Sequence, residues 1–262
     1  MNKSKINSAV ILCGGKGTRL GAIGKKIPKC LIKIKNKPIL WYIINILKIN
    51  SFNHFILPIG YKGELIRRFI KKDKNLKKLN IQIVNTGVDT NIARRIHDIK
   101  KYIISDNFIL LNGDAIFDFN LKKIFKEHLN SSKDMTFIGC ENQLAYGTVG
   151  VVGNKIVSFD RNITFNSVKT KEKRNFTGYV YSGMSIIKKK ILNINFKNFS
   201  NFEKSLYPKL IKKHNCSFYP FDGFWHSIDN VKDITVINTS TNKENKVMGV
   251  KKIYRKIIKN EN

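Results

Sequence analysis

AVILCGGKGTRLGAIGKKIPKCL, residues 9–31, decides how the rest of the chain is read. Ala9-Val10-Ile11-Leu12-Cys13 is a short apolar run of the length of a buried strand. It breaks into Gly14-Gly15-Lys16-Gly17-Thr18-Arg19-Leu20. Glycines packed this closely let backbone amides approach a bound group with no side chain in the way. Thr18 adds a hydroxyl, and Lys16 and Arg19 add positive charge. Further on, Pro28-Lys29 sets another cation just before the apolar Cys30-Leu31-Ile32. A loop of this make-up after a first strand suits the phosphates of a nucleotide.

Two common glycine loops are excluded. The P-loop pattern GxxxxGK[ST] is not met, nor is the dinucleotide fingerprint GxGxxG with its acidic residue at a later strand end. The stretch closely resembles the signature of sugar-1-phosphate nucleotidyltransferases, GGxGTRLxxxT…PKPM. Gly14, Gly15, Gly17, Thr18, Arg19 and Leu20 match it, then Pro28 and Lys29, while Cys30 and Leu31 replace the usual Pro and Met. The resemblance extends over essentially the whole chain and is strongest over residues 8 to 120. It implies one α/β unit over residues 1–262, a Rossmann-like, doubly wound mixed sheet of the GT-A-like kind. Residues 1–130 form the nucleotide-binding half in this reading. Residues 131–245 form a smaller acceptor-side β subregion, and 246–262 a basic tail.

Working outward, the first half alternates strand and helix. Strands are expected at Leu31 to Ile34, His54 to Ile59, Ile81 to Val84 and Asn107 to Leu111. Helices are expected from Pro38 through Leu47, from Leu65 to Lys72, from Asn91 to Ile104 and from Leu121 to Leu129. The second half reads as short strands: Met135 to Cys140, Thr148 to Val152, Ile156 to Phe159, Gly178 to Ile187, Ser217 to Phe221 and Phe224-Trp225. Helices are expected over Phe202 to Lys213 and from Val231, and Arg161 to Asn175 reads as a mobile loop or insertion.

Asp114 follows a strand in Leu111-Asn112-Gly113-Asp114, so its carboxylate faces the same cleft as the glycine loop. The family resemblance gives this Asp to a divalent ion, Mg²⁺, which is held by one or two carboxylates plus phosphates and water. The second carboxylate is Asp229. Gly223-Phe224-Trp225-His226-Ser227-Ile228-Asp229 resembles the FWxxxD segment that carries a metal Asp in sugar-1-phosphate cytidylyltransferases. Asp229 is also well placed to cap the helix after it.

Further roles rest on the same resemblance. Leu12, Gly14, Gly15, Gly17, Thr18 and Gly113 would meet the nucleotide, with Arg19 and Lys29 acting on its phosphates. Thr86, Gly87 and Arg95 resemble the DTG…R segment that surrounds the pyrimidine in glucose-1-phosphate cytidylyltransferases, so CTP is the expected nucleotide. Ile92-Ala93-Arg94 departs from that family's TGG, and the runs typical of guanylyl and thymidylyl relatives are not found. Tyr146, Gly147, Arg161, Gly183 and Trp225 are the acceptor-side candidates. Phe159-Asp160-Arg161-Asn162 stands where hexose-phosphate enzymes carry FxEKP, and Tyr181-Ser182-Gly183 replaces NGG or NAG. The acceptor is therefore not tied to glucose 1-phosphate; an amino-sugar or heptose 1-phosphate, or a non-sugar phosphate, with UTP or GTP, is the alternative.

The charge of +31, from 49 Lys and Arg against 18 Asp and Glu, invites a nucleic-acid reading on a retired enzyme fold. The lysines are spread over most of the chain, however, with no concentrated arm of interleaved aromatics short of the C-terminal tail, and read as solvated faces. The four cysteines, Cys13, Cys30, Cys140 and Cys216, lie far apart and read as free thiols, small core fillers in a reducing compartment. No run of 18 apolar residues exists, so no transmembrane helix is expected, and a cytoplasmic location follows. The expected function is Mg²⁺-dependent transfer of a nucleotidyl group from an NTP to a phosphorylated acceptor, with release of pyrophosphate, supplying surface polysaccharide synthesis. The expected partners are the NTP and the acceptor; self-association is left open.

Overall fold

The computed structural model describes residues 7–143, 148–160, 164–165, 167–169, 175–193, 202–239 and 245–261. The first half contains β1 (Ser8–Leu12), α1 (Gly21–Lys26), β2 (Lys33–Ile34), β3 (Lys37–Pro38), α2 (Ile39–Ile49), β4 (His54–Ile59), α3 (Gly63–Lys72), β5 (Asn80–Asn85), α4 (Ile92–Ile99), β6 (Asn107–Asn112), β7 (Ala115–Asp118) and α5 (Leu121–Asn130). The second half contains β8 (Met135–Gln143), β9 (Thr148–Val152), β10 (Lys155–Asp160), β11 (Thr164–Phe165), β12 (Ser167–Lys169), β13 (Asn175–Thr177), β14 (Tyr179–Lys188), α6 (Tyr207–Lys213), β15 (Cys216–Pro220), β16 (Phe224–Ser227), α7 (Val231–Thr239) and α8 (Asn245–Glu261).

The central sheet runs β11-β8-β14-β6-β1-β4-β5, with β15 also paired to β8. β5, β4, β1 and β6 are mutually parallel, and β14 joins β6 antiparallel, so the sheet is mixed. A central parallel strand is covered on both faces and therefore reads as a near-continuous apolar run. In β1, Ala9 and Ile11 belong to the core shared with Leu40, Ile43 and Leu47 of α2. Val10 between them belongs to the core shared with Ala93, Ile96 and Ile99 of α4. The chain moves from β1 outward through β4 to β5, then returns to lay β6 on the other side of β1. That reversal opens a crevice beyond the C-terminal ends of β1 and β6. The glycine loop leaves β1 there, and Asn112-Gly113-Asp114 leaves β6 there.

Several expected boundaries move. The strand read at Leu31 to Ile34 is a 3-10 turn over Lys29–Leu31 followed by β2. β2 and β3 form a small hairpin whose corner residues Lys35 and Asn36 have φ of 47° and 68°. The helix read to Ile104 ends at Ile99 and tightens into a 3-10 turn, Lys100–Tyr102. Within Arg161 to Asn175, read as a loop, β11 and β12 are strands; residues 161–163, 166 and 170–174 lie outside the described residues.

The basic C-terminal stretch is α8. Val247, Val250, Ile253 and Ile257 are fully or almost fully buried, and the Tyr254 ring lies 5.9 Å from that of Trp41 in α2. Each such side chain is worth about 1.5–3 kcal/mol when taken from water. Apolar residues three and four apart thus dock the helix, and Lys256 adds an ion pair to Asp118 of β7 at 2.5 Å. Among the described residues no helix is long and apolar enough to cross a membrane.

Candidate active site

The loop after β1 works because of two glycines in particular. Gly17 has φ 62°, in the left-handed region, and accepts a hydrogen bond from the Leu20 amide at 3.1 Å to start a 3-10 turn, Thr18–Leu20. A side chain on Gly14 would fall inside the guanidinium of Arg95. Together with Leu12, Lys29, Cys30, residues 88–92, Arg95 and residues 112–114, this loop lines a cleft of about 570 Å³. Leu12, the last residue of β1, accepts from the Gly113 amide at 3.2 Å, which ties the two strand ends together.

Arg95 is only 4% exposed, unlike a residue on a solvated helix face. Its Nη1 donates to Thr86 Oγ1 at 2.6 Å and to Ile59 O at 3.3 Å; its Nη2 donates to Gly14 O at 3.0 Å and Val88 O at 3.2 Å. Thr86 Oγ1 donates in turn to Ile59 O at 2.9 Å. One guanidinium therefore joins the ends of β1, β4 and β5 through four acceptors at once. Burial draws its pKa down, against the Asp98 charge. Arg94 beside it is a surface residue paired with Asp98 at 2.8 Å. Gly87, with φ 91°, follows Thr86 in the turn, and Asp89 meets Lys16 of the glycine loop at 2.6 Å across the mouth of the cleft. The Lys16 hydrogen bond and charge hold the exposed Asp89 carboxyl below its ordinary pKa.

The two carboxylates meet on a single cation. Lys29 Nζ lies 2.8 Å from Asp114 Oδ2 and 2.9 Å from Asp229 Oδ1. Arg19 Nη1 reaches the same Asp229 oxygen at 3.5 Å. Burial works against the Asp229 charge, but hydrogen bonds from Lys29 and Ser227 and the charges of Lys29 and Arg19 hold its pKa below the ordinary value. The approach is made by a ribbon that the sequence reading did not foresee. β7 pairs antiparallel with β16, and the Ile228 amide donates to Asp114 O at 2.9 Å.

Asp229 does not cap α7. Asn230 Oδ1 accepts from the Asp233 amide at 2.9 Å, and Asp233 Oδ2 accepts from the amides of Asp229 and Asn230 at 3.1 and 3.2 Å. This reciprocal cap satisfies the helix end and leaves the Asp229 carboxylate to the cleft. The Asn-x-x-Asp spacing was readable in the sequence.

The remaining candidates fall as follows. Gly15 and Thr18 line the cleft. Gly183, with φ 77°, sits where the register of β14 on β8 shifts, against the Asn112 side chain. Trp225 Nε1 donates to Ser182 O at 3.1 Å, pinning that irregularity to β16. Tyr146, Gly147 and Arg161 lie outside the described residues. Cys13 and Cys30 both line the cleft yet are buried, and the Cys13 thiol is pushed well up by its hydrogen bond with Cys30 and by burial. Such thiols pack rather than react.

Two convergent carboxylates held around a cation form an oxygen-only donor set of the sort Mg²⁺ accepts. Among the described residues no group of three or more His, Cys, Asp or Glu converges, so the rest of such an ion's coordination would fall to phosphate oxygens and water.

The sequence profile of the family described as Nucleotidyl transferase matches residues 8–244. The chain belongs to that family. It is accordingly an enzyme. The nucleotidyltransferase is 30% identical over 262 residues to the probable glucose-1-phosphate cytidylyltransferase of Bacillus subtilis (strain 168), covering 92% of this chain and 99% of the relative. It is 33% identical over 215 residues to the D-glycero-alpha-D-manno-heptose 1-phosphate guanylyltransferase of Campylobacter jejuni, covering 80% and 90%. Its fold matches the crystal structure of HddC from Yersinia pseudotuberculosis complexed with GMP-PN, with a TM-score of 0.66 and 25% identity over 87% of this chain and 96% of that one. The doubly wound fold with its crevice at the strand ends is thus that of sugar-phosphate nucleotidyltransferases.

Proposed function

We propose that this nucleotidyltransferase transfers a nucleotidyl group from an NTP to a sugar 1-phosphate, with Mg²⁺, and releases pyrophosphate. The observation that carries this reading is the convergence of Lys29, Asp114 and Asp229 at the edge of the glycine-lined cleft. An acceptor phosphate oxygen is already an anionic nucleophile at neutral pH, so the reaction needs positioning and charge neutralisation rather than a covalent intermediate. It attacks the α-phosphorus in line; the new P–O bond forms as the bond to the β-phosphate oxygen breaks. Gly14 and Gly15 admit the base and ribose. Gly17, Thr18 and Arg19 hold the β- and γ-phosphates, and Lys29 meets charge at the α-phosphate. Asp114 and Asp229 would hold Mg²⁺, which when bound neutralises charge between the two substrates' phosphates.

CTP is the nucleotide favoured by the resemblance of Thr86, Gly87 and Arg95 to the DTG…R segment of glucose-1-phosphate cytidylyltransferases. A second reading, GTP with a heptose 1-phosphate, is supported by the 33% identity to the Campylobacter guanylyltransferase and by the absence of the FxEKP pattern at Phe159-Asp160-Arg161-Asn162. The test is pyrophosphate release with CTP, UTP, GTP, dTTP and ATP against hexose, heptose and amino-sugar 1-phosphates. Release with CTP and one sugar 1-phosphate supports the first reading, and release with GTP and a heptose 1-phosphate the second. Silence across the panel overturns both.

A further inference from the structure

We infer that Lys29 is an exchangeable counter-ion: in the nucleotide-free enzyme its ammonium occupies the position between Asp114 and Asp229, and it must leave before a divalent cation can bind. This rests on the reading of those carboxylates as the metal-holding pair. A metal ion taking up the oxygens that Lys29 now contacts at 2.8 and 2.9 Å would compete with the ammonium for them.

The local charge points the same way. Asp114 and Asp229 contribute two negative charges; Lys29 and Arg19 contribute two positive ones. A divalent ion approaching the free enzyme therefore meets a neutralised site. The Lys29 side chain is 18% exposed, so this neutralisation is only partly screened. Arg19 is 81% exposed and 3.5 Å away, and contributes much less.

Lys29 also has somewhere to go. It lines the same cleft as Gly14 to Arg19, and its flexible stem can carry the ammonium to a triphosphate seated on that loop. Phosphate then replaces carboxylate as the partner of Lys29, and the carboxylates are released to the metal. Nucleotide and metal binding become coupled, each raising the affinity for the other by the same factor. The enzyme avoids loading metal before nucleotide.

The experiment is Mn²⁺ binding alone, followed by electron paramagnetic resonance of the free ion, with no nucleotide present. Lys29→Met should bind Mn²⁺ at least about tenfold more tightly than the wild type, the effect of removing one charge in direct contact. Lys29→Arg, which keeps the charge, should stay close to wild type. Asp114→Asn added to Lys29→Met should abolish the gain, which places it at this pair. Thermal melts verify that each variant folds; should Lys29→Met fail to fold, Lys29→Gln takes its place. Equal Mn²⁺ affinity in wild type and neutral variant, or a gain in Lys29→Arg as well, overturns the inference. Failure of the function itself reads differently, as no pyrophosphate release by the wild type whatever its Mn²⁺ affinity.

Discussion

Ala115 pairs with Ser227 across the β7–β16 ribbon, and that register sets Asp114 and Asp229 beside one another although half the chain separates them. Neither Ala115 nor Ser227 is among the residues that line the cleft. The ribbon is nonetheless what converts two distant carboxylates into one site, and the helix cap behind it decides how firmly Asp229 is held.

Asn230→Ala tests that dependence. Losing the side-chain cap of α7 should cost about 1 kcal/mol of stability. The Asp233 carboxylate, which accepts from the Asp229 amide, would lose its reciprocal partner. The expected outcome is a small drop in Tm with a larger fall in kcat than in stability-matched surface variants. Unchanged kcat with lowered Tm would mean that the cap does not position Asp229.

Arg95→Met should act on the nucleotide without touching its phosphates. The variant removes the guanidinium donor from Gly14 O and Val88 O and leaves Gly14 O the Tyr61 amide at 3.4 Å. KM for the nucleotide is expected to rise by about tenfold or more, as the two loops lose their shared tie. Steady-state kinetics at fixed acceptor concentration checks this, and an unchanged KM would count against it.

Stability should fall on the acid side through His128. It is 2% exposed, with Nδ1 2.8 Å from Thr136 Oγ1 and Nε2 3.1 Å from Asn107 Oδ1. Burial first, then the Lys188 charge, pulls its pKa from 6.5 to about 4. The unfolded chain therefore takes up a proton near pH 6.5 that the folded chain refuses until about pH 4. His128 imposes no penalty above pH 6.5; stability is lost as pH falls through that window, by about 1.4 kcal/mol per pH unit. His54, also lowered by burial, adds in the same direction. Urea unfolding between pH 7 and pH 4.5 should show the slope, and His128→Gln should flatten it.

Ile253→Ala in α8 should cost about 2–4 kcal/mol through the cavity it leaves. A melt lowered by several degrees is expected, with the KM for the nucleotide near wild type because no residue of α8 is among those lining the cleft. A neutral effect on Tm would show that the C-terminal helix is not part of the core.

Much of the fold was legible because it rests on local pattern. The run from His54 to Ile59 is a strand as read, apolar from Phe55 on and stopped by Gly60, and α2 starts just inside Pro38. What stayed hidden depends on partners distant in sequence. Ala115-Ile116-Phe117-Asp118 is too short to announce itself as β7; it is a strand because β16 pairs with it. Lys35 and Asn36 hide the β2–β3 corner, since neither is glycine although both take positive φ. The basic residues of the C-terminal stretch mask the apolar spacing of Val247, Val250, Ile253 and Ile257.

The site divides in the same way. The glycine loop and Asp114 follow from strands that end at one crevice, and Lys29 from the Pro28-Lys29 pair of the family signature. Arg95 was legible as belonging to the site, but its bonds to four acceptors on three strand ends needed the packed structure. Asp229 was reached through resemblance alone, because its place depends on β16 and on the Asn230 cap. No local pattern could have shown that Lys29 spans both carboxylates.

The most direct measurement is single-turnover formation of the nucleotidyl-sugar product by the wild type, Asp114→Ala and Lys29→Ala, using the triphosphate and sugar phosphate identified by pyrophosphate release. The account predicts a loss of about 10²–10³ in rate for either variant with its melt preserved, as for removal of one transition-state contact. Near-normal turnover in either would contradict it.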